Sequence, residues 1–212
     1  MKRFFIYIIL IITSLSALGQ EIKPAGEEQK REMMEKIAQA SASMKTIQCD
    51  FEQTKHLSFL DEKMVSKGSM YYKQDSLLRW EYKSPYSYIL ILNGTHVVLE
   101  SSNKKEVMDI KSNRLFQEIA KIMMNSVTGK SLSENNDFKA TLYIQGDKWL
   151  AKLIPQKREI KQMFSNITLY FDSQKSTIYH VELLEKTGDI THIELKNIRL
   201  NTTIDEKVFD FK

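Results

Sequence analysis

One cysteine among 212 residues excludes an internal disulfide. Cys49 stands at alternating spacing with Ile47 and Phe51, which predicts a buried thiol rather than a nucleophile. The four histidines, His56, His96, His180 and His192, are scattered and form no H-E-x-x-H pair. His180 and His192 can face each other across a hairpin, but no third ligand is suggested. Neither G-x-x-x-x-G-K-S/T nor G-x-G-x-x-G occurs, so neither metal nor cofactor is expected. The letters Ser102-Asn103-Lys104-Lys105 match S-x-x-K, but on a polar hairpin tip without a partner motif. No catalytic constellation emerges, and the chain is not expected to be an enzyme. The net charge of +4 is spread over many lysines and glutamates. Without a basic stripe, nucleic acid is not an expected partner.

Long apolar runs are also scarce. Residues 4–12 form one, too short for the roughly 20 residues that span a bilayer. Lys2 and Arg3 precede it, and Ala17-Leu18-Gly19 follows. That order predicts a signal peptide over residues 1–19, cleaved near Gly19, and delivery to the periplasm. Residues 20–212 then form a single domain, 42% of the whole chain being apolar.

The centre of that domain is residues 77–94, LLRWEYKSPYSYILILNG. Leu78, Trp80 and Tyr82 share one face of a predicted strand, and Leu77, Arg79 and Glu81 the other. Ser84-Pro85 turns the chain, and the return strand (Ile89, Leu90, Ile91, Leu92) is apolar on both faces before Asn93-Gly94. Such a pair needs apolar cover on each side.

Elsewhere the same period of two recurs in residues 46–56, 63–73, 138–144, 149–153, 167–171, 178–185 and 190–197. Residues 96–100 and 106–110 read as a further hairpin. Residues 201–208 read as a connector, and 209–211 as a closing strand. Helical spacing appears twice, over residues 27–46 and about 113–127, with Gly129 placed to end the second. The expected fold is mainly β with inserted helices (α+β): about ten antiparallel strands in a strongly curved sheet or barrel, its mouth covered by two helices. Ten methionines, ten phenylalanines, nine tyrosines and two tryptophans fit either an ordinary barrel core or, as the functional reading, a hollow that takes an apolar ligand.

These features, in this order, resemble the LolA family, periplasmic carriers of outer-membrane lipoproteins. The resemblance rests on Phe51-Glu52-Gln53 (an F-x-Q motif), Gly68, Arg79-Trp80-Glu81-Tyr82 before Pro85, and Asn93-Gly94. It continues through Leu153-Ile154-Pro155 to the ending Asn197, Asn201, Asp205 and Phe209-Asp210-Phe211. It implies an incomplete antiparallel β-barrel under a helical lid, holding lipoprotein acyl chains in its concavity. Leu78 and Trp80 match family positions in that concavity, and alternation adds Tyr82. The expected acyl-chain surface also includes Phe51, Met70, Leu90, Leu142, Trp149 and Leu169. Met33, Ile37 and Met44 are the expected lid residues of the first helix, and Phe116, Ile119 and Met123 those of the second. Where better-studied members carry an arginine that holds the lid shut, this chain has Gln74, whose uncharged amide makes a weaker bond.

The implied partners are acylated lipoproteins as cargo and an inner-membrane ABC transporter that releases them, with the outer-membrane acceptor left open. The carrier is expected to act as a monomer. A lipid- or glycolipid-binding carrier or sensor of the same fold is the alternative.

Overall fold

The computed structural model describes residues 21–74, 77–94, 96–109, 122, 124, 125, 128, 129, 132 and 137–210. The expected leader and the lid positions Phe116, Ile119 and Met123 lie outside them. A two-residue strand, β1 (Lys23–Pro24), precedes helix α1 (Glu27–Ser43). Strands β2 (Thr46–His56), β3 (Lys63–Lys73), β4 (Leu77–Ser84), β5 (Tyr88–Asn93), β6 (His96–Ser101) and β7 (Lys104–Asp109) form the first meander. The second comprises β8 (Phe138–Gln145), β9 (Lys148–Pro155), β10 (Phe164–Asp172), β11 (Thr177–Glu185) and β12 (Ile190–Leu200). A short helix, α2 (Arg158–Met163), separates β9 from β10, and a 3-10 helix, Glu206–Phe209, follows β12.

All the strands join one antiparallel sheet in the order β1-β8-β9-β10-β11-β12-β2-β3-β4-β5-β6-β7. Pairing of β12 with β2 fuses the two meanders, and β1 and β7 remain as edges, so the barrel is incomplete. Laid flat, twelve strands would span about 53 Å. The 17 residues of α1 reach only about 26 Å. Yet inward residues from Leu142 on β8 to Val97 on β6 belong to one buried cluster with α1. The sheet reconciles these lengths by curling. Register shifts at Lys67/Gly68, Phe164/Asn166, Tyr170/Phe171 and Lys196/Arg199 supply local bends.

The helix begins where Gly26 donates its N–H to the Gln29 side chain at 3.0 Å, and Glu27 and Glu28 suit its N-terminus. Its buried stripe is Met33, Ile37 and Ser41, followed by Met44 at the C-cap. Ala38 is exposed, because it stands off the turn that brings Met33, Ile37 and Ser41 onto one face. At the far end Asn201 accepts from Lys45 N–H at 2.8 Å and donates to the Ser43 carbonyl at 3.2 Å. The end of β12 therefore caps the helix.

The outer face has its own cover. Ile91 and Val98 are buried there, and the 3-10 helix packs over β4 and β5 with Phe209 beneath it. Arg79 reaches the Val208 carbonyl at 3.4 Å, Asn93 donates to the Phe209 carbonyl at 3.2 Å, and Lys73 pairs with Glu206. Asp205 starts the turn by accepting from Lys207 N–H at 3.0 Å. Phe209 thus ends a 3-10 helix and not the expected closing strand. Its ring is drawn to the second apolar face of β5, where a strand would leave Ile91 and Val98 bare. The short helix α2 and strand β1 carry too few residues for a readable period and were not foreseen.

Two carboxylates on the outer side of the β12–β2 seam are held below the usual range. For Asp50 the main cause is the Asn197 amide at 2.9 Å, with Ser69 at 3.2 Å and the Lys83 and Arg199 charges adding. For Glu52 it is Lys196 at 3.1 Å, followed by Lys67. A depressed carboxylate contributes stability that is whole above its unfolded pKa and is lost as pH falls through its folded one. Urea unfolding midpoints are therefore expected to fall through the carboxylate range, below about pH 4. Asp50→Asn should flatten part of that slope.

A covered apolar concavity as the candidate functional site

Alternation brings the expected floor residues together on the concave side. Across the sheet one inward row runs Ile47, Tyr72, Leu78, Leu92, Val97, and the next runs Cys49, Met70, Trp80, Leu90. On the other half the rows are Leu142, Ala151, Leu169, Val181 and Ile144, Trp149, Phe171. Phe51, Met70, Leu78, Trp80, Leu142 and Leu169 are buried, while Tyr82, Leu90 and Trp149 are partly so. All nine expected floor positions lie on this face, in or against one cluster with Met33, Ile37 and Met44. The cover is thereby seated on the floor.

Phe51 is the hub of the aromatic part. Its ring lies 4.4 Å from Trp80 at a shallow tilt and 5.1 Å from Tyr82 edge-on. Gly68 makes room for it: a Cβ there would stand 2.6 Å from the Phe51 ring and 1.9 Å from the Glu81 carbonyl. The Tyr82 hydroxyl donates to Gln53 Oε1 at 2.9 Å. Burial raises the Tyr82 pKa, and the Trp80 indole beside it and the Gln53 bond offset this only in part. Burial also pushes the Cys49 thiol up to about 12, the adjacent Asp50 adding, so it stays protonated and unreactive.

The cover meets the floor through α1. Lys36 Nζ sits 5.8 Å over the Trp149 ring. Gly129, with φ of 77°, ends the second helical segment as expected; a Cβ there would lie 3.1 Å from Ile37 and 3.5 Å from Phe171. Among the described residues, the buried Ser41 Oγ on the helix has no hydrogen-bond partner, while the Trp80 indole N–H makes no well-formed hydrogen bond but lies beside the Tyr82 hydroxyl. An unpartnered hydroxyl such as that of Ser41 costs about 1–3 kcal/mol. The Gln74 side chain is exposed, and the turn meets the end of α1 through its backbone N–H, which donates to the Lys45 carbonyl at 2.8 Å.

Of three further features, the sequence had offered only that His180 and His192 can face each other. Gln53 appeared only as a letter of the F-x-Q motif, and its bond to Tyr82 spans 29 positions. Lys55 faces Glu185 at 2.7 Å and Asp189 at 3.7 Å across the β12 strand. On the outer face His56 joins His192 at 5.5 Å, His192 lies 5.5 Å from His180, and Glu182 stands 3.7 Å from His192. Among the described residues no three such groups converge to hold a metal. Burial, and then His192, lower the His180 pKa.

An open, curled antiparallel sheet with an apolar face under a helix is the architecture the described residues define. The chain belongs to the LolA family, "Outer membrane lipoprotein carrier protein LolA", which it matches over residues 42–212. It is 28% identical over 177 residues to the outer-membrane lipoprotein carrier protein of Methylococcus capsulatus, covering 80% of this chain and 78% of that one. The protein of the same name from Azotobacter vinelandii is 22% identical over 198 residues, covering 93% and 91%. Among solved structures, an uncharacterised conserved protein of Thermus thermophilus superposes with a TM-score of 0.51 at 10% identity, covering 86% of this chain and 94% of that one. That likeness concerns the fold alone.

Gly68→Ala is expected to lower unfolding free energy by about 3 kcal/mol, the upper end for forced overpacking, measured by urea denaturation. Phe51→Leu in the same chain should recover little of the loss, because the tightest contact is with the Glu81 backbone carbonyl.

Proposed function

We propose that the chain is a periplasmic carrier that takes acylated lipoproteins from an inner-membrane ABC transporter and conveys them toward the outer membrane. It does so as a single-domain monomer once its leader is removed. The observation that carries this reading is the pairing of a wholly apolar floor with a cover whose seat is imperfect. Burying a methylene is worth about 0.8 kcal/mol, so hiding one 16-carbon chain is worth about 12 kcal/mol. The floor rows from Leu78 to Leu169 offer that burial. The unpaired Ser41 hydroxyl weakens the empty, closed arrangement, so an incoming chain displaces α1 at lower cost. Cargo and cover compete for one surface. No described helix is long and apolar enough to cross a membrane, which suits a carrier that shuttles between two of them.

A photo-crosslinking amino acid at Leu78 in living cells tests the reading. Lipoproteins trapped at this position are the expected result. Lipid or glycolipid trapped without peptide would replace this reading with that of a lipid carrier of the same fold. Trp80→Glu, which puts a charge on the floor, should reduce lipopeptide binding at least tenfold in a titration.

A further inference from the structure

The inward side of β2 changes character along its length. It reads Ile47, Cys49, Phe51 and then Gln53 and Lys55, so the apolar floor ends at Phe51. Beside this step lies a cavity of about 450 Å³, lined by Gln53, Lys55, Phe164, Leu183, Glu185 and Thr191 among others. Its volume is within the range of small-molecule sites. Met163, Phe164 and Leu183 give it apolar lining, and Gln53, Lys55, Glu185 and Thr191 give it polar lining.

The polar lining is held in place. Tyr82, wedged edge-on against Phe51, ties up the Gln53 carbonyl oxygen, so the amide end that Gln53 presents to the cavity is its NH2 donor. Lys55 is braced by Glu185 at 2.7 Å and Asp189 at 3.7 Å. Asp189 is itself bonded by Ser58 N–H at 2.9 Å, and this backbone bond is the main cause of its lowered pKa. Lys55 is thus neutralised by Glu185 and Asp189, while Lys186 adds a positive charge to the lining. The Gln53 amide beside apolar lining suits a carbonyl-rich group attached to hydrocarbon.

We infer that this cavity receives the ester and amide carbonyls where acyl chains join the polar end of the cargo. Gln53 is the specificity-determining donor, and Tyr82 positions it. The inference rests on the acyl-chain reading above and adds the donor that meets the carbonyls at the head of the chains. The test titrates the purified protein with a synthetic S-diacylglyceryl-cysteinyl peptide, with phosphatidylglycerol, and with N-phenylnaphthylamine, an apolar probe that has no such carbonyls.

Gln53→Leu is expected to weaken the peptide about tenfold, the loss of one or two hydrogen bonds, while the apolar probe moves less than twofold. Tyr82→Phe should shift the peptide in the same direction by a smaller factor. Phosphatidylglycerol, which carries the same ester carbonyls, should also be weakened by Gln53→Leu. Unchanged peptide affinity in Gln53→Leu, or an equal loss for peptide and probe, overturns the role of Gln53. Absence of any probe binding by the wild type instead overturns the acyl-chain reading itself. If Gln53→Leu loses cooperative unfolding, Gln53→Glu, which keeps the size but removes the donors, must show the same selective loss.

Discussion

The need to bury one apolar face of a twelve-stranded sheet governs this molecule. A sheet that wide cannot be covered by a helix half its breadth unless it curls. Curling brings β8 and β6 to bear on the same helix and turns the inward rows into a trough. The edges β1 and β7 do not pair, so the trough keeps an opening. Concavity and access therefore come from the same geometric compromise.

The outer face settles a different requirement. Strand β5 is apolar on both sides, and its outward residues would be left in water if only the trough were covered. The C-terminal segment answers this with Phe209, fastened by Arg79, Asn93 and the Asp205 cap. The ending that carried the family resemblance is thus a set of structural fastenings. Asn197 holds the Asp50 carboxylate, Asn201 caps α1, and Asp205 and Phe209 close the outer face. Through Asn201 the last strand also anchors the cover helix at one end, leaving its Met33 end farther from that anchor.

Function depends on where polarity is placed within the trough. The floor is hydrocarbon and aromatic from Leu78 to Phe51, and then gives way to Gln53 and Lys55. Membership of a family of outer-membrane lipoprotein carriers accords with a ligand that has the same division, tails at one end and a polar junction at the other.

Local pattern determined a great deal here. Period two placed β2 and β3 to the residue, identified Leu78, Trp80 and Tyr82 as one face, and put Cys49 in the interior, because the pleat alone dictates which side chains point together. Helical spacing found α1 and its Met33, Ile37 and Met44 face for the same reason. Only tertiary structure decided which strands would be neighbours. The pairing of β12 with β2 set Lys55 against Glu185 and His56 against His192, contacts separated by more than a hundred residues. It also decided that Ser41 would enter the buried stripe and that Phe209 would end a 3-10 helix. Such outcomes follow from the shape of the surface to be covered, and a chain's local period carries no record of that shape.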